Sequence, residues 1–273
     1  MRFTQVDVFT DELMYGNPVA VVHDADGLGD EQMAAFARWT NLSETTFLLA
    51  PTDPAADYRL RIFTTGGELP FAGHPTLGSA RAWLAAGGEP QRPGQLVQEC
   101  GAGLVRVRED GSRLAFAAPP LRRGGPVDEA DVRQVADALG IDRADVIGAQ
   151  WADNGPGWIA LLLRSADAVL AIEPRGFGEL DKVGVVGPHA PGGHADVEVR
   201  AFYPGSPGED PVTGSLNAAI GQWLIGSGLA TDSYVAAQGT RLGRRGRVHV
   251  ERVDDDVWVG GDTVVGVSGT VAL

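Results

Sequence analysis

Three short segments hold the side chains best suited to moving a proton. In Asn41-Leu42-Ser43-Glu44-Thr45 the acidic residue stands against the apolar run Thr45-Thr46-Phe47-Leu48-Leu49, where burial lifts a carboxyl pKa towards neutrality. A second reading makes Ser43 or Asn41 a local cap and leaves Glu44 in water, and spacing alone favours it. Gly73-His74-Pro75-Thr76 puts an imidazole at a helix start, placed to donate to a substrate carboxylate or to act as an acid near the positive helix end. A turn in which His74 makes one ordinary hydrogen bond fits that segment equally well. Glu209-Asp210-Pro211-Val212-Thr213-Gly214-Ser215 is the richest, with two carboxylates, two hydroxyls and a glycine just before another helix. Asp210 is a second acid/base candidate to set beside Glu44, and Thr213, Gly214 and Ser215 form a candidate anion-binding nest. The alternative there is an Asp/Ser/Thr cap and a turn.

These segments need a frame of strands and a few helices. Phe3, Val6, Val8 and Phe9 open a strand, Gly16-Asn17-Pro18 turns, and Val19–Val22 begins the next. Asp30 is read as the cap of a helix through Trp39. Tyr58, Leu60 and Ile62 alternate with Arg59 and Arg61, the period of a half-exposed strand. Pro75–Ala86 reads as a helix that Gly87-Gly88 stops, with Pro75 suited to its first turn. Leu96–Cys100, Leu104–Arg108 and Leu114–Ala117 follow as strands. The linker Pro119–Pro126 divides the chain near its midpoint. Beyond it come a helix at Glu129–Leu139, strands at Trp158–Leu163, Lys182–Val186 and Val197–Tyr203, and a turn from Pro204 to Gly214. A helix over about Ser215–Leu224 and strands near Tyr234–Ala237, Arg247–Val253, Val257–Gly260 and Val271–Leu273 complete the pattern. An offset of 141 places Glu68 on Glu209, Pro70 on Pro211 and Gly73 on Gly214, each before a small-residue helix. The shared context points to an internal duplication. Two such lobes would set a site between them, with two helix N-termini for an anion.

Composition narrows the function classes. The chain has 273 residues, room for two lobes, with 22 basic and 36 acidic side chains and a net charge of −14. That balance argues against a nucleic-acid binder and against adhesion to an anionic membrane. Cys100 is the single cysteine, so an intrachain disulfide and a Cys-rich zinc or iron–sulfur centre are excluded and a cytoplasmic setting is expected. No apolar run approaches the ~20 residues of a membrane helix. Neither a phosphate loop ending in Lys-Ser/Thr nor a dinucleotide GxGxxG appears. His189 and His194, five apart in a Gly/Pro loop, lack the helix and thiol that would make a catalytic zinc site. Arg241, Arg244, Arg245 and Arg247 read as a solvated turn.

Taken in order, Val6-Asp7-Val8-Phe9-Thr10, Gly16-Asn17-Pro18, Asn41-Leu42-Ser43-Glu44-Thr45, Phe63-Thr64, Phe71-Ala72-Gly73-His74-Pro75-Thr76 and Gly208-Glu209-Asp210-Pro211-Val212-Thr213-Gly214-Ser215 resemble the PhzF-like phenazine-biosynthesis isomerase and epimerase family, within the diaminopimelate-epimerase-like fold. The resemblance implies an α+β protein of two pseudo-symmetric lobes, each an open barrel-like, mainly antiparallel sheet around a central helix. It places them at residues 1–120 and 121–273, with the last strand free to return to the first lobe. It implies an isomerase without metal or organic cofactor, acting on a small anionic substrate, and admits a homodimer that neither charge nor periodicity establishes. On the matching motifs Glu44 is the proton-shuttling carboxylate and His74, Asp210 and Ser215 complete the polar site, with Ser43, Gly73, Thr213 and Gly214 on the substrate. The family's phenazine enzyme isomerises a dihydro-3-hydroxyanthranilate by proton transfer. Two-thiol epimerases of the wider fold place cysteines at the central-helix starts; here those positions read Gly73-His74 and Gly214-Ser215, which excludes two-cysteine racemisation. An activated C–H suits a carboxylate base better than an amino-acid α-carbon. Epimerisation of an activated metabolite and a non-catalytic small-molecule-binding or interaction protein are the alternatives.

Overall fold

Strands dominate because β-branched and aromatic residues recur at period two, and helices occur only where small or amphipathic runs interrupt that pattern. The computed structural model describes residues 1–177, 180, 182–203 and 208–273. The chain divides into two units, Met1–Ala117 with Gly260–Leu273, and Ala118–Val259. The midpoint division thus shifts to Ala117, and the final segment belongs with the first unit.

The first unit runs β1 (Arg2–Val8), β2 (Asn17–Val22), α1 (Asp30–Thr40), β3 (Thr45–Leu49), β4 (Tyr58–Phe63), β5 (Glu68–Leu69), α2 (Gly73–Ala85), β6 (Gln95–Cys100), β7 (Gly103–Asp110) and β8 (Arg113–Ala117). Its strands lie in the order β1-β2-β3-β4-β6-β7-β8, with β5 pairing β4. The pairs β2/β3 and β4/β6 are parallel. Helix α2 lies inside this sheet, buried along nearly its whole first three turns. Small residues allow that: a Cβ on Gly78 would stand 2.2 Å from Val19 Cγ1. Helix α1 covers the outside, where Met33, Phe36 and Ala37 pack on Val22, Phe47 and Phe63. Burying each large side chain stabilises the unit by about 2–3 kcal/mol. Gly29, not Asp30, is the N-cap of α1, and Gln32 reaches back to the Gly29 N–H at 3.1 Å.

The second unit runs α3 (Glu129–Leu139), β9 (Val146–Ala152), β10 (Trp158–Leu163), α4 (Ala166–Leu170), β11 (Lys182–Pro188), β12 (Val197–Phe202), β13 (Glu209–Asp210), α5 (Gly214–Gly226), β14 (Ser233–Gln238), β15 (Gly246–Val253) and the start of β16 (Asp256–Thr270). Its strand order is β9-β10-β11-β12-β14-β15-β16, with β13 on β12, and again the second and fourth of these neighbouring pairs are parallel. Alternation splits the sheet between two layers. Ile159, Leu161, Val183 and Val185 pack with Val132, Val135 and Leu139 of α3 and Val169 of α4. Gly184 faces Leu216 of α5, and Gly221 of α5 faces Val250. The turn read into Pro204 through Gly214 has residues 204–207 outside the described residues.

Duplication is therefore visible as topology. It extends from the echoed Glu68 and Glu209 to the arginines that hold them. Arg61 grips Glu68 through two bonds of 2.7 Å and stacks over Phe63 at 5.0 Å. Arg200 grips Glu209 at 2.9 and 2.8 Å and stacks over Phe202 at 4.7 Å. The first unit departs from an open barrel because β16 is far longer than the Val257–Gly260 expected. From Gly260 onward it serves the first unit and pairs antiparallel with β1 from Thr263 to Thr270, closing the barrel. Gly260, where the expected strand ends, lies inside β16 and allows close packing: a Cβ there would meet the Leu114 carbonyl at 2.4 Å. Val271–Leu273 is not a strand, although Val271 exchanges hydrogen bonds with Met1. Among the described residues no helix is long and apolar enough to cross a membrane.

Candidate active site

In the first unit three chain segments meet at the start of α2. Parallel pairing of β2 with β3 sets Ala20 beside Thr45, which brings Glu44, the residue before β3, to the same end of the barrel as Asn17 at the start of β2. Asn41 closes α1 with a left-handed φ of 55°. The turn therefore caps α1 and still directs Glu44 inward, so both readings of that segment describe part of it. Glu44 Oε2 lies 3.4 Å from His74 Nε2, and the Glu44 side chain is only 15% exposed. On the other edge of the ring, Asn17 Nδ2 lies 3.4 Å from Nδ1. Ser43 is exposed and Gly73 buried.

His74 is buried to 4% exposure. Desolvation pushes its pKa down to about 3, opposed only in part by a hydrogen bond to the Pro18 carbonyl. Burial disfavours the charged imidazolium, so the ring is neutral near pH 7 and its contact with Glu44 is not an ion pair. In the resting protein His74 is therefore a neutral ring beside the Glu44 carboxyl group.

In the second unit Asp210 is fixed by the pairing of β13 with β12, where it stands opposite Ala201. Thr213 Oγ1 donates to Asp210 Oδ2 at 2.5 Å. The Thr213 backbone N–H donates to Gln238 Oε1 at 3.0 Å. That N–H is engaged inside the protein, so the nest expected from Thr213, Gly214 and Ser215 narrows to the last two. Neither Ala72 nor Thr213 caps its helix with a side chain, and first-turn N–H groups have no intrahelical acceptor. Ser215 takes the position in α5 that His74 takes in α2. Its hydroxyl accepts from Trp158 Nε1 at 3.2 Å, and its carbonyl accepts from Asn154 Nδ2 at 2.9 Å.

Among the described residues no group of three or more His, Cys, Asp or Glu could hold a metal ion. The His189 and His194 rings lie 5.5 Å apart, with His189 Nε2 3.0 Å from Glu198 Oε2. Cys100 is half-buried on β6, and burial raises its thiol pKa. Of the residues at these helix starts, Asn17 reads in the sequence as part of a turn. Asn154, Trp158 and Gln238 carry no local signal, because each reaches its partner from a distant strand or loop, and Asn217, which bonds the Thr213 carbonyl at the start of its own helix, matters through its contact with the distant Gln238.

A family model for phenazine biosynthesis-like proteins matches residues 6–270. The chain belongs to that family. Antisense-enhancing sequence 1 of Schizosaccharomyces pombe is 38% identical to it over 293 residues, covering 98% of this chain and 97% of that protein. Trans-2,3-dihydro-3-hydroxyanthranilate isomerase of Pseudomonas aeruginosa is 38% identical over 178 residues, covering 63% of this chain and 61% of that enzyme. Among solved structures, a PhzF-family phenazine biosynthesis protein from Enterococcus faecalis superposes with a TM-score of 0.82 at 26% identity, over the whole of both chains. Two pseudo-symmetric α+β lobes are thus the fold of the phenazine biosynthesis-like family in this chain as well. Family membership and isomerase relatives make it an isomerase.

Proposed function

We propose that this isomerase moves a proton, and with it a double bond, in a small cyclic or unsaturated amino or carboxylic acid without a metal or organic cofactor. Glu44 takes the proton from an activated carbon and a carboxyl group returns one elsewhere in the conjugated system. The observation that carries this reading is the shielded Glu44 side chain 3.4 Å from the neutral ring of His74. A neutral imidazole beside Glu44 does not fix it as one half of a salt bridge, which leaves the carboxyl group able to change protonation state. In the second unit Asp210 is a further acid/base or charge-stabilising candidate, and in each unit taken by itself the helix-start N–H groups, Gly73 in one and Gly214 and Ser215 in the other, suit a carboxylate group. A dihydro-3-hydroxyanthranilate-like substrate is favoured by the 38% identity to the Pseudomonas aeruginosa isomerase.

The test is Glu44→Gln, nearly isosteric but unable to exchange a proton. Candidate acids are incubated in D₂O and followed by NMR, at concentrations that saturate binding. Loss of both C–H exchange and product by at least about 10²-fold, with ligand binding retained, is the expected result. Rates close to wild type would reject Glu44 as the base. Inversion at an unchanged skeleton, in place of a shifted double bond, would mark an epimerase. Ligand protection by the wild type with neither exchange nor product would mark a binding protein.

A further inference from the structure

A chain of hydrogen bonds leads to Asp210, and its direction can be read atom by atom. The Thr213 carbonyl only accepts, so the Asn217 atom 2.9 Å away is Nδ2. That Nδ2 also lies 2.8 Å from a Gln238 side-chain atom, which must therefore be Oε1. The Thr213 backbone N–H, a donor only, points at the same atom from 3.0 Å. Two independent donors thus assign the Gln238 amide the same way. Its Nε2 then donates to the Asp210 carbonyl at 3.1 Å and to Thr213 Oγ1 at 3.0 Å. Asn217 and Gln238 are fully buried and Thr213 is 6% exposed, so bulk water does not compete for these bonds. With Thr213 Oγ1 accepting from Gln238, its single proton turns to Asp210 Oδ2, 2.5 Å away, a length typical of a hydroxyl donating to an anion.

We propose that Thr213 and Gln238 are positioning residues that hold Asp210 as a carboxylate in the resting enzyme. Asp210 therefore enters the reaction as a base or a fixed negative charge, and not as an acid. This rests on the reading that Asp210 serves the isomerase reaction, and names its protonation state and the residues that set it. The duplication argues that the fold does not require the arrangement. At an offset of 141, Asp210 and Thr213 correspond to Leu69 and Ala72, and the first unit builds the same strand pair and helix start without them. A glutamine holding the fourth residue of the central helix is common to both units, as Gln98 Nε2 donates to Thr76 Oγ1 at 3.0 Å. The carboxylate and its hydroxyl donor are what the second unit adds.

The test needs no substrate. Carboxyl ¹³C NMR of the full chain follows the Asp210 titration, assigned by its loss in Asp210→Asn. In wild type the carboxyl titrates below the ordinary value of about 3.9. Thr213→Val removes the donor at nearly constant volume and raises that pKa by about one to two units. Thr213→Ser, which keeps the hydroxyl, restores it to within a few tenths. If Thr213→Val does not fold, Thr213→Ala carries the same expectation. An unchanged titration in the valine variant overturns the proposal, as does an equal displacement in the valine and serine variants or a wild-type Asp210 still protonated at pH 6. If the titrations behave as expected and Asp210→Asn nevertheless turns over like wild type, the relay stands and the role of Asp210 in the reaction falls.

Discussion

His74 ties the stability of the first unit to pH, in a direction that separates a neutral ring from an imidazolium paired with Glu44. In the unfolded chain the imidazole takes up its proton near pH 6.5, whereas burial in the folded chain defers this to about 3. Between those values the unfolded state holds a proton that the folded state lacks, so stability rises with pH. The contribution is complete above 6.5 and is lost as pH falls towards 3. At about 1.4 kcal/mol per unit, the full displacement amounts to roughly 5 kcal/mol. His74→Gln removes the titration and keeps a hydrogen-bonding side chain of similar reach. Urea unfolding of both proteins from pH 4.5 to 7.5 gives the difference in unfolding free energy, from which the other titrating groups, including the desolvated His23, largely cancel. We expect wild type to gain on the variant with a slope approaching 1.4 kcal/mol per unit below pH 6. Repeating the subtraction in a Glu44→Gln background assigns the slope to the ring. Parallel curves would refute the buried neutral imidazole. A difference that shrinks as pH rises would show a raised pKa and an ion pair with Glu44.

The two Arg–Glu clasps offer an internal comparison. Glu209→Gln strands the buried Arg200 and is expected to cost about 3–5 kcal/mol in chemical denaturation. Glu68→Gln, at a carboxylate whose side chain is 43% exposed, should cost no more than about 1 kcal/mol; similar losses at both would contradict the burial argument. Gly78→Ala drives a Cβ to within 2.2 Å of Val19 Cγ1 and 3.1 Å of Val8 Cγ2. It should lower Tm in calorimetry by an overpacking cost of about 1–3 kcal/mol, and an unchanged Tm would mean that α2 is not held tightly in its barrel. Turnover should survive Cys100→Ser and exhaustive chelation without NAD, FAD or pyridoxal phosphate. Stoichiometric rescue of lost activity by one metal or cofactor would overturn that.

Local order carried much of this into the sequence. The alternation of Tyr58, Leu60 and Ile62 located β4, and Glu129–Leu139 marked α3 at both ends. What escaped depends on partners remote along the chain. Strand β9 reads as irregular because Ile147 faces solvent while Gly148 sits against Trp223. The long run of β16 was hidden by glycines that look like punctuation until the strand beside them is known. At the candidate site, Glu44 was legible as an acid before an apolar strand, but its contact with His74 depends on the β2/β3 register. The charge state of His74 depends on burial, which a single motif does not encode. Likewise Asp210 and Thr213 announced themselves by type, whereas Gln238 matters only because β14 runs parallel to β12 and carries it back to the start of α5.

The return of β16 to the first unit has a consequence for synthesis. Ribosomes make the first unit before the second, yet the second unit ends at Val259 and the first needs Gly260 onward. While the second unit is emerging and folding, the nascent first unit has β1 bonded to β2 on one side and nothing from β16 on the other. Unpaired strand edges of this kind recruit other chains. The lobe translated first is the last to finish, and its β1 edge is where a chaperone or a neighbouring nascent chain would take hold during that interval.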